Sequence, residues 1–165
     1  MIFLTVGTQF PFDRLIKAVD EAADEGVFGD EIFAQTGESS YKARNFRTVQ
    51  FVDKHLFDKY IRQASSVISH AGIGTVAAVL EYSKPMLLMP RLRKYGEVVN
   101  DHQLAIAKKF EISGYVLAAY EGEKLITKIN QLKTFVPRRR DSQPWMVTGR
   151  IAQFLTEVSS KLTAK

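Results

Sequence analysis

The sequence predicts an α/β fold: a single Rossmann-like, doubly wound parallel sheet. Three observations point there. Short apolar runs alternate with amphipathic helical stretches along the chain, as βαβ units require. The runs are continuously apolar rather than alternating, as strands covered on both faces must be. The chain has 165 residues, enough for one such domain and too few for two nucleotide-binding domains. An activity that needs two domains would therefore draw the second from another chain.

Each element follows in order. Residues 2–6 form the first strand. Phe12, Leu15, Ile16, Val19, Ala22 and Ala23 then keep helical spacing, with Asp13 early in the helix, where its charge suits the dipole. Residues 31–36 are a second strand, ended by Gly37, and residues 48–52 a third. Residues 54–64 read as a helix with Leu56, Phe57, Tyr60 and Ile61 on one face. A fourth strand at 66–69 leads into a helix at 74–82. Pro85 and Pro90 bracket a short buried strand, Met86 to Met89. A helix at 101–110, a strand at 115–118 and a helix at 122–134 follow. Residues 137–144 make a polar break containing Arg138, Arg139 and Arg140. A last helix spans 145–162, with Ile151, Phe154, Leu155 and Val158 on its apolar side. There is no internal repeat, and the whole of 1–165 is expected to be one domain.

Composition narrows the chemistry. Hydrophobic residues make up 45% and charged residues 25% of the chain, the balance of a soluble globular protein. With no cysteine, a disulfide framework, a thiolate zinc site and a cysteine nucleophile are excluded. No apolar run approaches the roughly 18 residues that span a bilayer, and the N-terminus lacks the basic start of a signal peptide. A cytoplasmic location is the expectation. The net charge of +5 is unevenly spread. Residues 1–82 hold 8 Lys and Arg against 11 Asp and Glu, whereas residues 83–165 hold 15 against 7. A basic second half reads either as a solvated surface or as a face for an anionic partner. No nucleic-acid motif appears, so no nucleic-acid partner is expected.

In a doubly wound sheet, ligands bind where strand ends lead into helices. Four segments carry polar residues or glycines there. Ser69-His70-Ala71-Gly72-Ile73-Gly74-Thr75 follows the fourth strand and opens a helix. Glycines let a phosphate approach the backbone, and free N–H groups at a helix start favour an anion. The plainer reading of Gly72 and Gly74 is a tight turn, and of His70 a packed or capping residue. Gly96-Glu97-Val98-Val99-Asn100-Asp101-His102-Gln103 follows the basic loop Arg91-Leu92-Arg93-Lys94. It is more polar than a helix cap needs, although Asp101 alone reads as an N-cap. Gly7-Thr8-Gln9 and Gln35-Thr36-Gly37 end the first two strands on the same sheet edge. Arg138 to Arg140 reads as a solvated loop or an anionic-lipid contact. His55, His70 and His102 share no ligand spacing, so no metal site is expected.

With those residues, the sequence resembles the C-terminal-domain family of MurG-like glycosyltransferases. The resemblance rests on Val6-Gly7-Thr8, Phe12-Asp13-Arg14-Leu15-Ile16, Ser69 to Thr75, Lys84-Pro85 with Pro90-Arg91, and Gly96-Glu97 with Asn100 to Gln103. Residues 1–118 carry these motifs in order and at compatible spacing. Free-standing members are similar: the PssE-type subunits of exopolysaccharide and capsule synthesis, and the catalytic subunit of the split UDP-N-acetylglucosamine transferase. The resemblance implies the donor half of a GT-B enzyme that binds a UDP-sugar without a metal or other cofactor. It also implies a membrane-anchored, PssD-like partner supplying the acceptor half, recruitment through it to the cytoplasmic membrane face, and a polyprenyl-diphosphate-linked glycan as acceptor.

The implied roles follow residue by residue. His70, Gly72, Ile73, Gly74 and Thr75 meet the diphosphate. Glu97, Asn100, Asp101, His102 and Gln103 face the donor sugar and nucleotide. Gly7, Thr8, Gln9, Gln35 and Gly37 line the cleft. MurG-type relatives hold the ribose with a glutamate at the position of Ala78; here Glu81, one turn later, either substitutes or is a plain helix residue. Transfer would be an inverting displacement by an acceptor hydroxyl, with UDP leaving as an anion. A helix N-terminus, His70 and the cations Arg91, Arg93 and Lys94 are candidates to stabilise that charge. No residue of the chain stands out as the general base. A non-catalytic nucleotide-sugar-binding subunit and a self-contained sugar-nucleotide enzyme are the competing readings.

Overall fold

The structure, a computed structural model, describes residues 1–138. The expected helix at 145–162 and two of the three consecutive arginines lie outside the described residues. The chain runs β1 (Ile2–Thr5), α1 (Asp13–Asp24), β2 (Ile32–Gln35), β3 (Arg47–Val49), α2 (Lys54–Gln63), β4 (Ser66–His70), α3 (Ile73–Glu81), β5 (Met86–Met89), α4 (His102–Ile112), β6 (Leu117–Ala118) and α5 (Leu125–Leu132). Single 3-10 turns precede α4 and α5 at Arg93–Tyr95 and Gly122–Lys124.

The six strands form one parallel sheet in the order β3-β2-β1-β4-β5-β6. This is the doubly wound arrangement the sequence predicts. The apolar strands explain it, because alternate residues of each serve opposite cores. Leu4 and Val6 of the first strand region, Ile68, Leu87 and Met89 pack with Leu15, Ile16 and Val19 of α1 and Ile129 of α5. Phe3, Val67, Met86 and Leu88 pack on the other face with Ile61 of α2, Val76 and Val79 of α3 and Ala107 of α4.

Most element boundaries shift by one to three residues from expectation, and the third and last strands do so for identifiable physical reasons. The third strand lies at Arg47–Val49 rather than 48–52. Asp53 caps α2 by accepting from the Leu56 N–H at 2.8 Å, so the chain must turn before it. The last strand shrinks to Leu117–Ala118 at the sheet edge, where Tyr115 N–H still bonds back to Phe110.

Strand order reverses between β1 and β4, so the connections leaving these strands go to opposite faces and open a crevice at their carboxyl ends. Three segments reach it: the loop after β1, the β4–α3 turn and the loop after β5.

Candidate functional site

A cavity of about 340 Å³ occupies this crevice, lined by Gly7, Thr8, Gln9 and Phe10 from the first loop, by His70 and Gly72 to Thr75 from the second, and by Arg91 and Gln103. The structure thus brings together the glycine turn, the first loop and one cation of the basic segment. A second cavity of about 360 Å³ opens at the opposite sheet edge, beside Ile129 and Leu132. There it meets the C-terminal end of α5, whose dipole repels anions.

The α3 N-terminus is open. Gly72 stands at the cap position, no side chain caps the helix, and no acidic residue sits in its first turn. The first intrahelical bond runs from Val76 N–H to Gly72 O. The N–H groups of Ile73, Gly74 and Thr75 are the leading donors of the helix, and these residues line the cavity. The Gly72 backbone itself is ordinary, with φ −79°. What demands glycine there is His70: a Cβ on Gly72 would collide with its Nε2. Gly7 borders the same ring edge with φ +76°, and a Cβ on it would lie 2.7 Å from His70 Cε1. A tight turn alone would need neither clearance.

His70 is buried and its tautomer follows from its neighbours. The Ser69 hydroxyl donates to Thr5 O at 2.8 Å, which spends its only proton. Ser69 Oγ lies 3.1 Å from His70 Nδ1, so Nδ1 brings the proton to that bond. Nε2 is therefore bare, and it makes no hydrogen bond among the described residues. Burial, reinforced by the Arg91 charge, pushes the imidazole down to about 4. In the free domain His70 supplies no positive charge, although the sequence offered it as part of the charge-stabilising set.

Arg91 is 2% exposed. Its Nη2 donates to Val6 O at 2.7 Å and to Phe10 O, and its Nε donates to Pro11 O at 3.2 Å. The guanidinium also stacks on Phe12 at 4.8 Å. One side chain from the β5 loop thus shapes the whole β1–α1 loop. Nη1 makes no hydrogen bond among the described residues, and Arg91 lines the cavity. Burial lowers this arginine to about 10 while Glu97 opposes the shift, so it stays charged at neutral pH. Arg93 and Lys94 are exposed and do not line the cavity; Lys94 sits over the Tyr95 ring instead.

The polar segment after β5 is engaged largely in holding itself. Glu97 pairs through both oxygens with Arg14 and accepts from the Leu92 N–H. Asp101 accepts from Arg93 N–H at 2.8 Å rather than capping α4. Asn100 takes the capping part, accepting from His102 N–H. His102 is exposed outside the cavity lining, whereas Gln103 lines it and accepts from the Arg91 N–H. Gln35 and Gly37 support the first loop from behind: Gln35 Nε2 donates to Gly7 O, and Gly37 packs against the same carbonyl with φ +56°. Glu81 is the exposed last residue of α3, about 12 Å of helix rise from Ile73, and does not line the cavity. Ala78 packs against the second core.

Sequence reasoning missed Phe10, Ser69 and the bracing role of Arg14. The adjacency of Ser69 and His70 at a strand end was the available signal for the first contact of the imidazole. Nothing local marks Arg14, whose partners lie 76 and 83 residues away. Among the described residues no three His, Asp or Glu side chains gather as metal ligands.

The sequence pattern of the Glycosyltransferase family 28 C-terminal domain matches residues 1–144. The chain belongs to this family. Among curated relatives of this family 28 domain, the human UDP-N-acetylglucosamine transferase subunit ALG13 is 30% identical over 124 residues, 70% of this chain and 10% of that protein. The Candida albicans subunit of the same name is 26% identical over 103 residues, 62% of this chain and 33% of that protein. The chain thus spans between a tenth and a third of these relatives. Among solved structures, the solution structure of ALG13 is similar with a TM-score of 0.59 and 20% identity, over 87% of this chain and 90% of that one. The crystal structure of Acinetobacter baumannii MurG is similar with a TM-score of 0.60 and 20% identity, over 81% of this chain and 42% of that one. These likenesses confirm the Rossmann-like fold of GT-B C-terminal domains.

Proposed function

We propose that this family 28 domain is the donor-binding, catalytic subunit of a two-component inverting glycosyltransferase. It takes a hexose or hexosamine from a UDP-sugar and passes it to a polyprenyl-diphosphate-linked acceptor in exopolysaccharide or capsule synthesis. It is PssE-like, and a membrane-anchored, PssD-like chain supplies the acceptor half and brings the domain to the cytoplasmic membrane face. The observation that carries the reading is the uncapped α3 N-terminus, which opens with Arg91 onto one cavity at the strand-order reversal. Oriented N–H groups and a buried guanidinium are what a departing diphosphate needs, because they stabilise charge where it develops.

The chemistry fits a subunit that needs a partner. Of the titratable side chains lining the cavity among the described residues, Arg91 stays charged and burial makes the His70 imidazole a weak base, which supports placing the acceptor hydroxyl's base on the other wall of the cleft. A non-catalytic nucleotide-sugar-binding subunit is the second reading. It is favoured by one observation: Glu81 stands away from the cavity and Ala78 offers no carboxylate to a ribose.

Three measurements test these readings. UDP must raise the thermal midpoint, since a ligand that binds only the folded state stabilises it; no shift ends both. Sugar transfer from a UDP-sugar to a lipid-linked acceptor is expected with the partner chain and absent without it. Transfer by this chain alone overturns the two-component reading. An Arg91→Lys chain that leaves partnered transfer at full rate favours the non-catalytic one.

A further inference from the structure

We propose that His70 is a proton-carrying ligand of the donor diphosphate: its Nε2 takes up one proton from water as an anionic phosphate oxygen arrives, and returns it when the nucleotide leaves. The inference rests on the donor reading above and adds to it the protonation chemistry of that site.

The geometry carries it. Nδ1 is committed as a donor to Ser69 Oγ, because the Ser69 hydroxyl has already given its proton to Thr5 O. Flipping the ring would set a carbon against Ser69 Oγ and forfeit that bond. Nε2 is thus fixed as the bare nitrogen, and it stands at the ring edge that Gly7 and Gly72 leave clear. Both glycines, from different loops, keep this edge open to the cavity they line with His70. A phosphate oxygen carries no proton to give, so it can meet Nε2 only if Nε2 becomes a donor.

The charges around the ring set the direction. Thr5 and Gly7 on the β1 side, Ser69 on β4, Met89 opposite on β5, and Gly72 and Ile73 on α3 are uncharged. Arg91 is the one other titratable group lining the cavity among the described residues. With the cavity empty, burial and Arg91 both keep the imidazole neutral. A diphosphate brings at least two negative charges between Arg91 and the ring. It thereby reverses the electrostatic sign at Nε2. No bond to carbon forms or breaks in this step; one proton moves from solvent to Nε2 and back. During transfer the resulting imidazolium faces the oxygens on which leaving-group charge accumulates.

The test reads the ring nitrogens directly. The chain has three histidines, so ¹⁵N resonances are assigned by elimination through the single variants His55→Gln and His102→Gln. In the free protein near pH 7, His70 is expected to show a protonated Nδ1 and an unprotonated Nε2. Saturation with UDP is expected to move Nε2 into the protonated range. Calorimetry in buffers of different ionisation heat gives a second readout: wild type should take up about one more proton per UDP than His70→Gln. That comparison cancels any protonation of the UDP phosphate itself. Binding of UDP with Nε2 still unprotonated overturns the inference and leaves the donor reading standing. Absence of any UDP-induced change overturns both.

Discussion

Arg14 and Glu97, 83 residues apart in the chain, form a two-armed ion pair between the first turn of α1 and the loop after β5. Arg14 Nε and Nη2 donate to the two Glu97 oxygens at 2.7 and 2.8 Å. Arg14 also donates to Pro90 O and lies 4.6 Å from the Tyr95 ring centre. Glu97 in turn accepts from Leu92 N–H. The first turn of α1 is thereby fastened to the loop after β5, and Arg91 fastens that loop to the β1–α1 segment. Two of the three cavity walls, the β1–α1 segment and the loop after β5, are thus braced against each other.

This pair is expected to be worth more than a surface salt bridge, because its side chains are only 20% and 11% exposed and its geometry is bidentate. Urea denaturation of Arg14→Ala, Glu97→Gln and the double variant should give a coupling of about 1–2 kcal/mol. Arg14→Ala should cost more than Glu97→Gln, since it also strips Pro90 O and the Tyr95 contact. Additive losses would show that the two side chains do not act as a unit.

Gly72 offers a sharper separation of folding from function. Its backbone angles suit alanine, and the three atoms nearest to an added β-carbon all belong to the His70 ring. Gly72→Ala is expected to weaken UDP binding at least tenfold while leaving the circular dichroism of the domain unchanged. Its thermal midpoint should fall by a few degrees, and adding His70→Ala should recover part of that fall, because the clash partner is gone. Equal loss of folding and binding, with no recovery in the double variant, would make Gly72 a turn residue and nothing more.

How much of this was legible beforehand depended on whether the signal was local. The buried parallel strands were readable because Met86 to Met89 and Ile2 to Val6 are apolar at every or nearly every position, which two-sided burial imposes. The α3 glycine turn was readable because its chemistry lies within seven consecutive residues. The edge strand at Arg47–Val49 was misplaced because two of its residues are exposed and the hydrophobic pattern had nothing to report. Arg91, Arg93 and Lys94 looked alike in sequence. Only the fold shows that Arg91 turns inward onto three carbonyls while the other two stay in solvent. Glu97 and Asp101 likewise read as ligand groups until their partners were seen.

Arg91 should not tolerate lysine. A single ammonium on a flexible stem cannot reach Val6, Phe10 and Pro11 carbonyls together and still face the cavity. Each carbonyl left unpaired in the interior costs about 1–3 kcal/mol. Arg91→Lys is therefore expected to destabilise by roughly 2–4 kcal/mol in urea and to weaken UDP binding beyond what that loss of folded protein explains. Binding normalised to the folded fraction decides the matter: an unchanged normalised affinity would confine Arg91 to bracing the loop.

The pH dependence of stability carries the last prediction, and its sign is fixed by the direction of the His70 shift. Burial depresses the imidazole from its usual value near 6.5 to about 4 in the folded domain. Between these values the unfolded chain binds the proton and the folded chain does not, so acid favours unfolding. The neutral-ring contribution is fully present above about pH 6.5 and is lost as pH falls toward 4. It is on the order of 3 kcal/mol over that window. Urea midpoints for wild type should fall through this range, and those of His70→Gln should fall less, since glutamine does not titrate. UDP should flatten the wild-type profile, because a bound diphosphate favours the protonated ring. Parallel profiles for wild type and His70→Gln would show that the ring is not held neutral by burial.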